Sequence, residues 1–214
     1  PDSQRIAFTD GDGQVLIKRA DGTGDEESLI ATHDRLRNPS CWSPDGAHIF
    51  FRTQDPATGL DFQQVATGGS HEVKVLLATP ANETAPSLSP DGRFLAYRSD
   101  ESGGTSQLFI APYPISGGKW QVTSGGADSY AWAPDGRHIV YEVPDGKLYS
   151  VGVQEVNGGL ELSAATPFFG GETAPSSWTL APDGRRVLGV VQIDEGPTAP
   201  LELDLDWSAG VAGP

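Results

Sequence analysis

The sequence predicts an all-β protein, specifically a β-propeller built from four-stranded antiparallel blades. The first observation is a recurring phrase, which reads CWSPDGAHIFF, PSLSPDGRFLAY, YAWAPDGRHIVY and TLAPDGRRVLGV, with a shortened copy, PDSQRIAF, at the start. Its prolines are Pro1, Pro44, Pro90, Pro134 and Pro182, at intervals of 43, 46, 44 and 48 residues. Such a period is the length of one propeller blade. The second observation is that no stretch shows sustained helical periodicity.

Each phrase has the pattern of a strand, a tight turn and a second strand. Proline presets one dihedral angle of the turn, aspartate can accept a hydrogen bond from the backbone ahead of it, and glycine adopts a positive φ without steric cost. After the turn, apolar residues recur two positions apart, on the face that packs against a neighbouring blade. These residues are Ile6, Ile49, Leu95, Ile139 and Val187, followed by Phe8, Phe51, Tyr97 and Tyr141.

Two more strands complete each period. The segments QVLIKR, DFQQVA, QLFIAPY, KLYSVGV and LELDLDW are predicted third strands, and SLIAT, VKVLLAT, WQVTS and LELSAATPFF are predicted outer strands. The turns between them are rich in Gly, Asp, Ser and Pro, as in DGDG, PATG and ESGGTS.

The repeats divide the chain into five units near 1–43, 44–89, 90–133, 134–181 and 182–214, which we expect to form one propeller domain. The first unit lacks an inner strand and the last lacks an outer one, which predicts a piece of a longer polypeptide and a larger propeller. A closed five-bladed ring that shares strands is the alternative. An open propeller would expose sheet edges, which favours self-association.

The charge balance argues against two classes of partner. Lys and Arg number 14 against 29 Asp and Glu, so the formal net charge is −15, which opposes binding to nucleic acid or to anionic membrane surfaces. Acidic loops that keep a β-rich surface soluble explain the same charge. No apolar run reaches the roughly 18 residues of a membrane span, so no direct membrane insertion is expected. The single cysteine, Cys41, cannot form an internal disulfide bond.

The recurring SPDG or APDG, followed by an aliphatic-x-aromatic strand, resembles the WD40-like Pro-Asp-Gly repeats of TolB-type β-propellers. The last section resembles the C-terminal propellers of bacterial serine/threonine kinases and transcriptional regulators, where a strand ending in Asn-Trp closes the domain; here those positions hold Asp206 and Trp207. The resemblance implies a periplasmic or extracellular module for sensing a ligand or binding a protein or peptide partner.

Three functions follow from this pattern. The first is a non-catalytic protein-interaction or ligand-sensing propeller. The second is the propeller domain of a peptidase or of a calcium-dependent hydrolase, although the G-x-S-x-G string of a hydrolase nucleophile does not occur in the sequence. The third is a structural subunit of a surface assembly.

Candidate binding residues are inner-strand positions that differ between repeats. Asn38, Asp128, Tyr130 and Trp178 place polar and aromatic groups where other copies have Pro or Ser. We expect them at the mouth of the central channel, since Tyr and Trp combine contact area with a polar tip. Packing between blades is the alternative role for these side chains.

One short segment resembles a cation-binding loop. The sequence Thr9-Asp10-Gly11-Asp12-Gly13 offers carboxylate oxygens at alternating positions, Asp10 and Asp12, which suits calcium. It lacks the distal glutamate of an EF-hand, and a hairpin turn rich in Asp and Gly is the ordinary interpretation. No other cofactor is predicted.

Overall fold

The computed structural model describes residues 3–31, 37–168, 175 and 177–190, and every regular element in them is a β-strand. The strands form five antiparallel sheets that follow one another along the chain. Each of the four full copies of the recurring phrase supplies two neighbouring strands and the turn between them, and the shortened copy at the start supplies β1. The predicted all-β propeller architecture is therefore confirmed.

The strand bounds are as follows. The first sheet holds β1 (Arg5–Thr9), β2 (Val15–Arg19) and β3 (Glu27–Ile30), and the second holds β4 (Arg37–Trp42), β5 (His48–Asp55), β6 (Gly59–Ala66) and β7 (Val73–Leu77). The third holds β8 (Glu83–Leu88), β9 (Phe94–Ser99), β10 (Gln107–Pro112) and β11 (Trp120–Gln121). The fourth holds β12 (Ser129–Trp132), β13 (His138–Glu142), β14 (Leu148–Val156), β15 (Gly159–Leu162) and β16 (Thr166–Pro167), and the fifth holds β17 (Ser177–Leu180) and β18 (Val187–Val190).

The outer part of the fourth sheet differs from the prediction. The segment LELSAATPFF was expected to form one outer strand, and this expectation is wrong. Asn157 and Gly158 adopt positive φ angles of 51° and 78°, which turn the chain back into a two-residue hairpin. As a result β15 pairs with the far end of β14, and β16 pairs with Tyr149 and Ser150 near its start. The predicted third strand LELDLDW lies outside the described residues.

The core consists of apolar layers between successive sheets. In the second sheet, Ile49 and Phe51 pack toward the first sheet, whereas Phe50 packs toward the third. Strand β5 is thus buried on both faces. The apolar spacing in the sequence predicts the burial of one of them, the face of Ile49 and Phe51. Ile6 occupies the position equivalent to Ile49 and is half exposed, because no described sheet precedes it. Self-association through such open faces stays a prediction.

The tight turns are held by a repeated set of hydrogen bonds. In the second sheet, Gly46 N–H donates to the carbonyl of Ser43 at 2.9 Å, and Asp45 accepts the N–H of Ala47 at 2.9 Å. The Ser43 hydroxyl donates to Asp45 at 2.5 Å and accepts the His48 N–H at 2.9 Å. The hydroxyl of Ser43 and the amide of Ala47 lower the pKa of Asp45. This serine therefore connects the turn to the start of the second strand.

Successive turns also touch each other. A Cβ atom built on Gly92 would lie 3.5 Å from the ring of Pro44, and one on Gly136 would lie 3.6 Å from Pro90. On Gly184 it would lie 3.2 Å from the ring of Pro134. Each of these three glycines thus faces the proline of the preceding turn, and its positive φ favours glycine, whereas the approach itself is tight only at Gly184.

We expect Ser89→Ala to lower the free energy of unfolding by about 1 kcal/mol. The hydroxyl donates to Asp91 at 2.6 Å and accepts the N–H of Phe94 at 3.0 Å, and alanine would leave that N–H without its partner. The equivalent residue of the fourth sheet is Ala133, so Ala133→Ser should instead raise stability by about 0.5–1 kcal/mol. Urea denaturation measures both. Equal stability of all three proteins would show that the hydroxyl has no such role.

Candidate functional site

Tyr130 lies on inner strand β12 at the seam with the third sheet. Its hydroxyl donates to the carbonyl of Ala96 at 2.7 Å and also contacts the carbonyl of Ala85. Burial raises the pKa of Tyr130 well above its ordinary value, which keeps the hydroxyl a neutral donor. Nearby, the indole N–H of Trp132 donates to the carbonyl of Ser87 at 3.2 Å. The polar tip of Tyr130 is thus engaged by the neighbouring sheet.

Trp178 lies at the next seam, on β17. Its indole N–H donates to Glu142 of β13 at 3.0 Å, and the Ser129 hydroxyl donates to the same carboxylate oxygen at 2.7 Å. Glu142 therefore joins the inner strands of the fourth and fifth sheets. The sequence did not single out Glu142, because nothing in the repeat distinguishes it from other polar strand residues.

Asn38 and Asp128 both have exposed side chains. The backbone of Asp128 is held in place, since its N–H donates to the carbonyl of Glu142 at 2.8 Å and its own carbonyl accepts a hydrogen bond from Arg98. Of the four channel candidates, these two offer side chains to solvent, whereas Tyr130 and Trp178 bond to the preceding sheet. A binding role for the four residues stays a prediction.

The loop around Asp10 is built by its own aspartate. One carboxylate oxygen of Asp10 accepts the N–H groups of Asp12 at 3.0 Å and of Gln14 at 2.9 Å, and the other accepts the Gln14 side-chain amide at 3.0 Å. Among the described residues, no three His, Cys, Asp or Glu side chains form a group that could hold a metal ion. Calcium binding by Asp10 and Asp12 stays a prediction.

Two carboxyl groups are buried where the second and third sheets meet. Glu83 is 0 % exposed and accepts a hydrogen bond from the Thr79 hydroxyl. Asp61 is 4 % exposed and accepts one from Thr58 at 2.6 Å. The second oxygen of each carboxyl group, and the buried hydroxyl of Thr53, have no hydrogen-bond partner in the described part of the chain.

The protonation of Glu83 reflects this environment. Burial raises its pKa most, the Thr79 hydroxyl opposes that change, and the negative charges of Asp61 and Glu101 raise the pKa further. A buried carboxyl group with an unpaired oxygen is costly when ionised. The sequence gives no sign of this pair, because its two members lie on strands of different sheets, β6 and β8, which come together only when those sheets pack.

A deep concave surface lies between the third and fourth sheets. Its volume is about 1030 Å³. The β14–β15 hairpin extends past the part of β14 that pairs with β13, and the groove lies between this hairpin and the turn before β9. Its apolar floor is formed by Phe94, Val153, Leu160 and Leu162. We call this surface the hairpin groove.

Charged residues surround the floor of the hairpin groove. Arg93 donates to Asp91 at 2.8 Å and also pairs with Glu155 of the hairpin, so one ion pair links the two walls. His138 lies 3.4 Å from Asp135. Arg137 and Glu161 complete the charged lining.

A smaller cavity of about 490 Å³ lies on the other side of the fourth turn. Pro134, Phe168 and Arg185 contribute to its lining.

The sequence contains one indication of the hairpin groove. The pair Asn157 and Gly158 favours a two-residue hairpin turn.

The comparison with protein families agrees with this architecture. The pattern of the TolB beta propeller domain matches residues 1–199. The chain belongs to this family. No curated protein matches the sequence. Among the described residues of this TolB-family chain, no helix is long and apolar enough to cross a membrane.

Solved structures show the same fold. TolB from Acinetobacter baumannii superimposes with a TM-score of 0.66 at 17% identity, over 86% of this chain and 46% of that one. A candidate TolB from Agrobacterium tumefaciens gives 0.58 at 19% identity, over 78% and 63%. A candidate 6-phosphogluconolactonase from Bacteroides uniformis gives 0.55 at 18% identity, over 89% and 62%. The chain thus spans less than two thirds of each of these proteins, and the likeness at such identities is one of fold.

We expect the free energy of unfolding of Glu83→Gln, relative to that of the wild type, to be higher at about pH 7 than at about pH 4. The raised pKa of Glu83 means that the folded state binds its proton more tightly than the unfolded state. Its favourable contribution is therefore present below the unfolded pKa and is lost as the pH rises through the folded pKa. Glutamine keeps the acceptor for Thr79 and carries no charge. Urea denaturation of wild type and variant at both pH values measures the difference.

The control is Glu161→Gln, the same chemical change at an exposed position. It should leave the pH dependence of stability as in the wild type. A Glu83→Gln variant that loses more stability at about pH 7 than at about pH 4 would contradict the prediction, because the ionised carboxylate would then be the stabilising form.

Proposed function

We propose that this TolB-family propeller is a non-catalytic module that binds a protein or peptide partner, in the periplasm or outside the cell. The observation that carries the proposal is the hairpin groove, an apolar floor with a charged rim on a rigid scaffold. The family supports both the interaction role and the location. Folds of this kind serve many functions, so the site rather than the fold carries the argument.

The size and composition of the groove suit a polypeptide. Its volume of about 1030 Å³ lies just above the range for pockets that hold small molecules, which is about 300–1,000 Å³. Apolar centres with polar, solvent-accessible rims are the usual anatomy of protein interfaces. Phe94 and Leu162 are half-buried, so each still has surface that a partner can cover.

The construction of the groove supports recognition rather than chemistry. Arg93 is paired with Asp91 and Glu155, and His138 lies beside Asp135. The guanidinium of Arg93 is thus already matched by carboxylates, and charged groups on the rim of an interface confer specificity on it. The walls come from a tight turn and a hairpin that are fixed to rigid sheets, which is where binding residues commonly lie.

We expect Leu162→Asp to abolish the binding of peptides selected on the wild-type chain, because it places a charge on the groove floor. A displayed library of random peptides would first be selected against the wild-type protein. Clones would then be tested on both proteins by fluorescence polarisation.

The matched control is Val75→Asp, the same change at an apolar residue that is 61% exposed on outer strand β7 of another sheet. It should leave the affinity of the selected peptides unchanged, and thermal unfolding would verify that both variants fold. Selected peptides that bind Leu162→Asp as tightly as the wild type would rule out the hairpin groove as the recognition site.

A further inference from the structure

We propose that the hairpin groove binds an extended, lysine- or arginine-bearing segment of its partner, which pairs with β15 as an added strand. This inference rests on the proposed function and names the chemistry of the partner. It follows from the backbone of the hairpin, from the faces of its side chains and from the charges of the rim.

The first step is the free edge of β15. Val156 and Gly159 flank the two-residue turn, and in such a hairpin the flanking pair exchanges both backbone hydrogen bonds. Bonded and non-bonded pairs alternate along an antiparallel ladder, so Glu161 bonds to β14 as well. The Ser163 N–H, which donates to the carbonyl of Gly152 at 3.0 Å, continues this alternation.

The residues between the bonded pairs are Leu160 and Leu162. Their N–H and C=O groups point away from β14, and within the described part of the chain β15 pairs with β14 alone. They form an edge of the kind to which an extended peptide adds by main-chain hydrogen bonds.

The second step is the relation of this edge to the groove. Leu160 lies opposite Glu155, and Leu162 opposite Val153, so these four side chains share one face of the hairpin. That face lines the groove. A strand added beside β15 would continue the same sheet, and every second side chain of it would lie over the groove floor. Main-chain bonds would give affinity, and the floor would select apolar side chains at alternate positions.

The third step is charge. Three carboxylates, Asp91, Asp135 and Glu155, surround the groove floor against two guanidinium groups, Arg93 and Arg137, and Glu161 adds a fourth carboxylate on the opposite face of β15, beside its open edge. Arg93 already pairs with two of those carboxylates, and the formal charge of the whole chain is −15. A cationic segment therefore complements the rim and is attracted to the protein at long range.

The test uses the full chain and a short acetylated peptide in which lysine and valine alternate. Fluorescence polarisation gives its dissociation constant, and amide NMR shifts identify the surface that it covers. We expect shifts at β15 and around Asp91 to Phe94, and affinity that falls with added salt. A peptide of alternating glutamate and valine should bind at least about tenfold more weakly, because the acidic rim repels it. Such a change corresponds to about 1.4 kcal/mol of lost interaction.

Leu162→Pro removes one outward N–H that β14 does not use, and Leu162→Val keeps it. We expect the proline variant to weaken the lysine peptide about tenfold and the valine variant to retain the wild-type affinity. Glu161→Lys provides an independent readout should the proline variant fail to fold. It should weaken the lysine peptide and strengthen the glutamate peptide.

Each outcome separates this inference from the proposed function. Equal binding to Leu162→Pro and wild type overturns strand addition, and equal affinity for both peptides overturns the cationic preference. If the lysine peptide does not bind while library-selected peptides still depend on Leu162, the inference fails and the proposed function stands. If neither kind of peptide binds the groove, both fail.

Discussion

Packing of each sheet against the next is the constraint on which the rest of this structure depends. In the second, third and fourth sheets the second strand is buried on both faces, as Phe50 and Phe51 show by packing toward opposite neighbours. Burial of such side chains contributes about 1.5–3 kcal/mol each, and this contribution exists only when two sheets meet. The turns of neighbouring sheets also touch, with Gly92, Gly136 and Gly184 each facing the proline of the preceding turn.

The packing of each sheet against the next also determines where polar side chains can lie without losing their hydrogen bonds. At the seams, Tyr130 and Trp178 direct their polar atoms to the preceding sheet, because a buried donor without a partner is costly. Glu83 and Asp61 depart from this pattern, since each keeps one buried oxygen without a described partner. The burial of Glu83 therefore carries an energetic cost that depends on its protonation.

The hairpin groove arises where the repeat is interrupted. Residues that recur in every copy form the turns and the packing layers, and their recurrence is explained by structure. The β14–β15 hairpin interrupts the outer part of its sheet, leaves the edge of β15 open and places an apolar face opposite the turn of the third repeat. The hairpin groove is thus formed by a hairpin that departs from the repeat, and the recurring turns and strands hold that hairpin in place.

The sequence by itself determined the propeller architecture and most strands, because proline, glycine and two-residue apolar alternation act locally and recur. It also anticipated that Tyr130 and Trp178 had two possible roles without choosing between them. Only the tertiary structure decided that their polar atoms bond across seams, that Glu83 and Asp61 meet in the interior, and that the chain after Val156 folds back to form a groove. These outcomes depend on residues far apart in the sequence, whose proximity follows from how whole sheets pack.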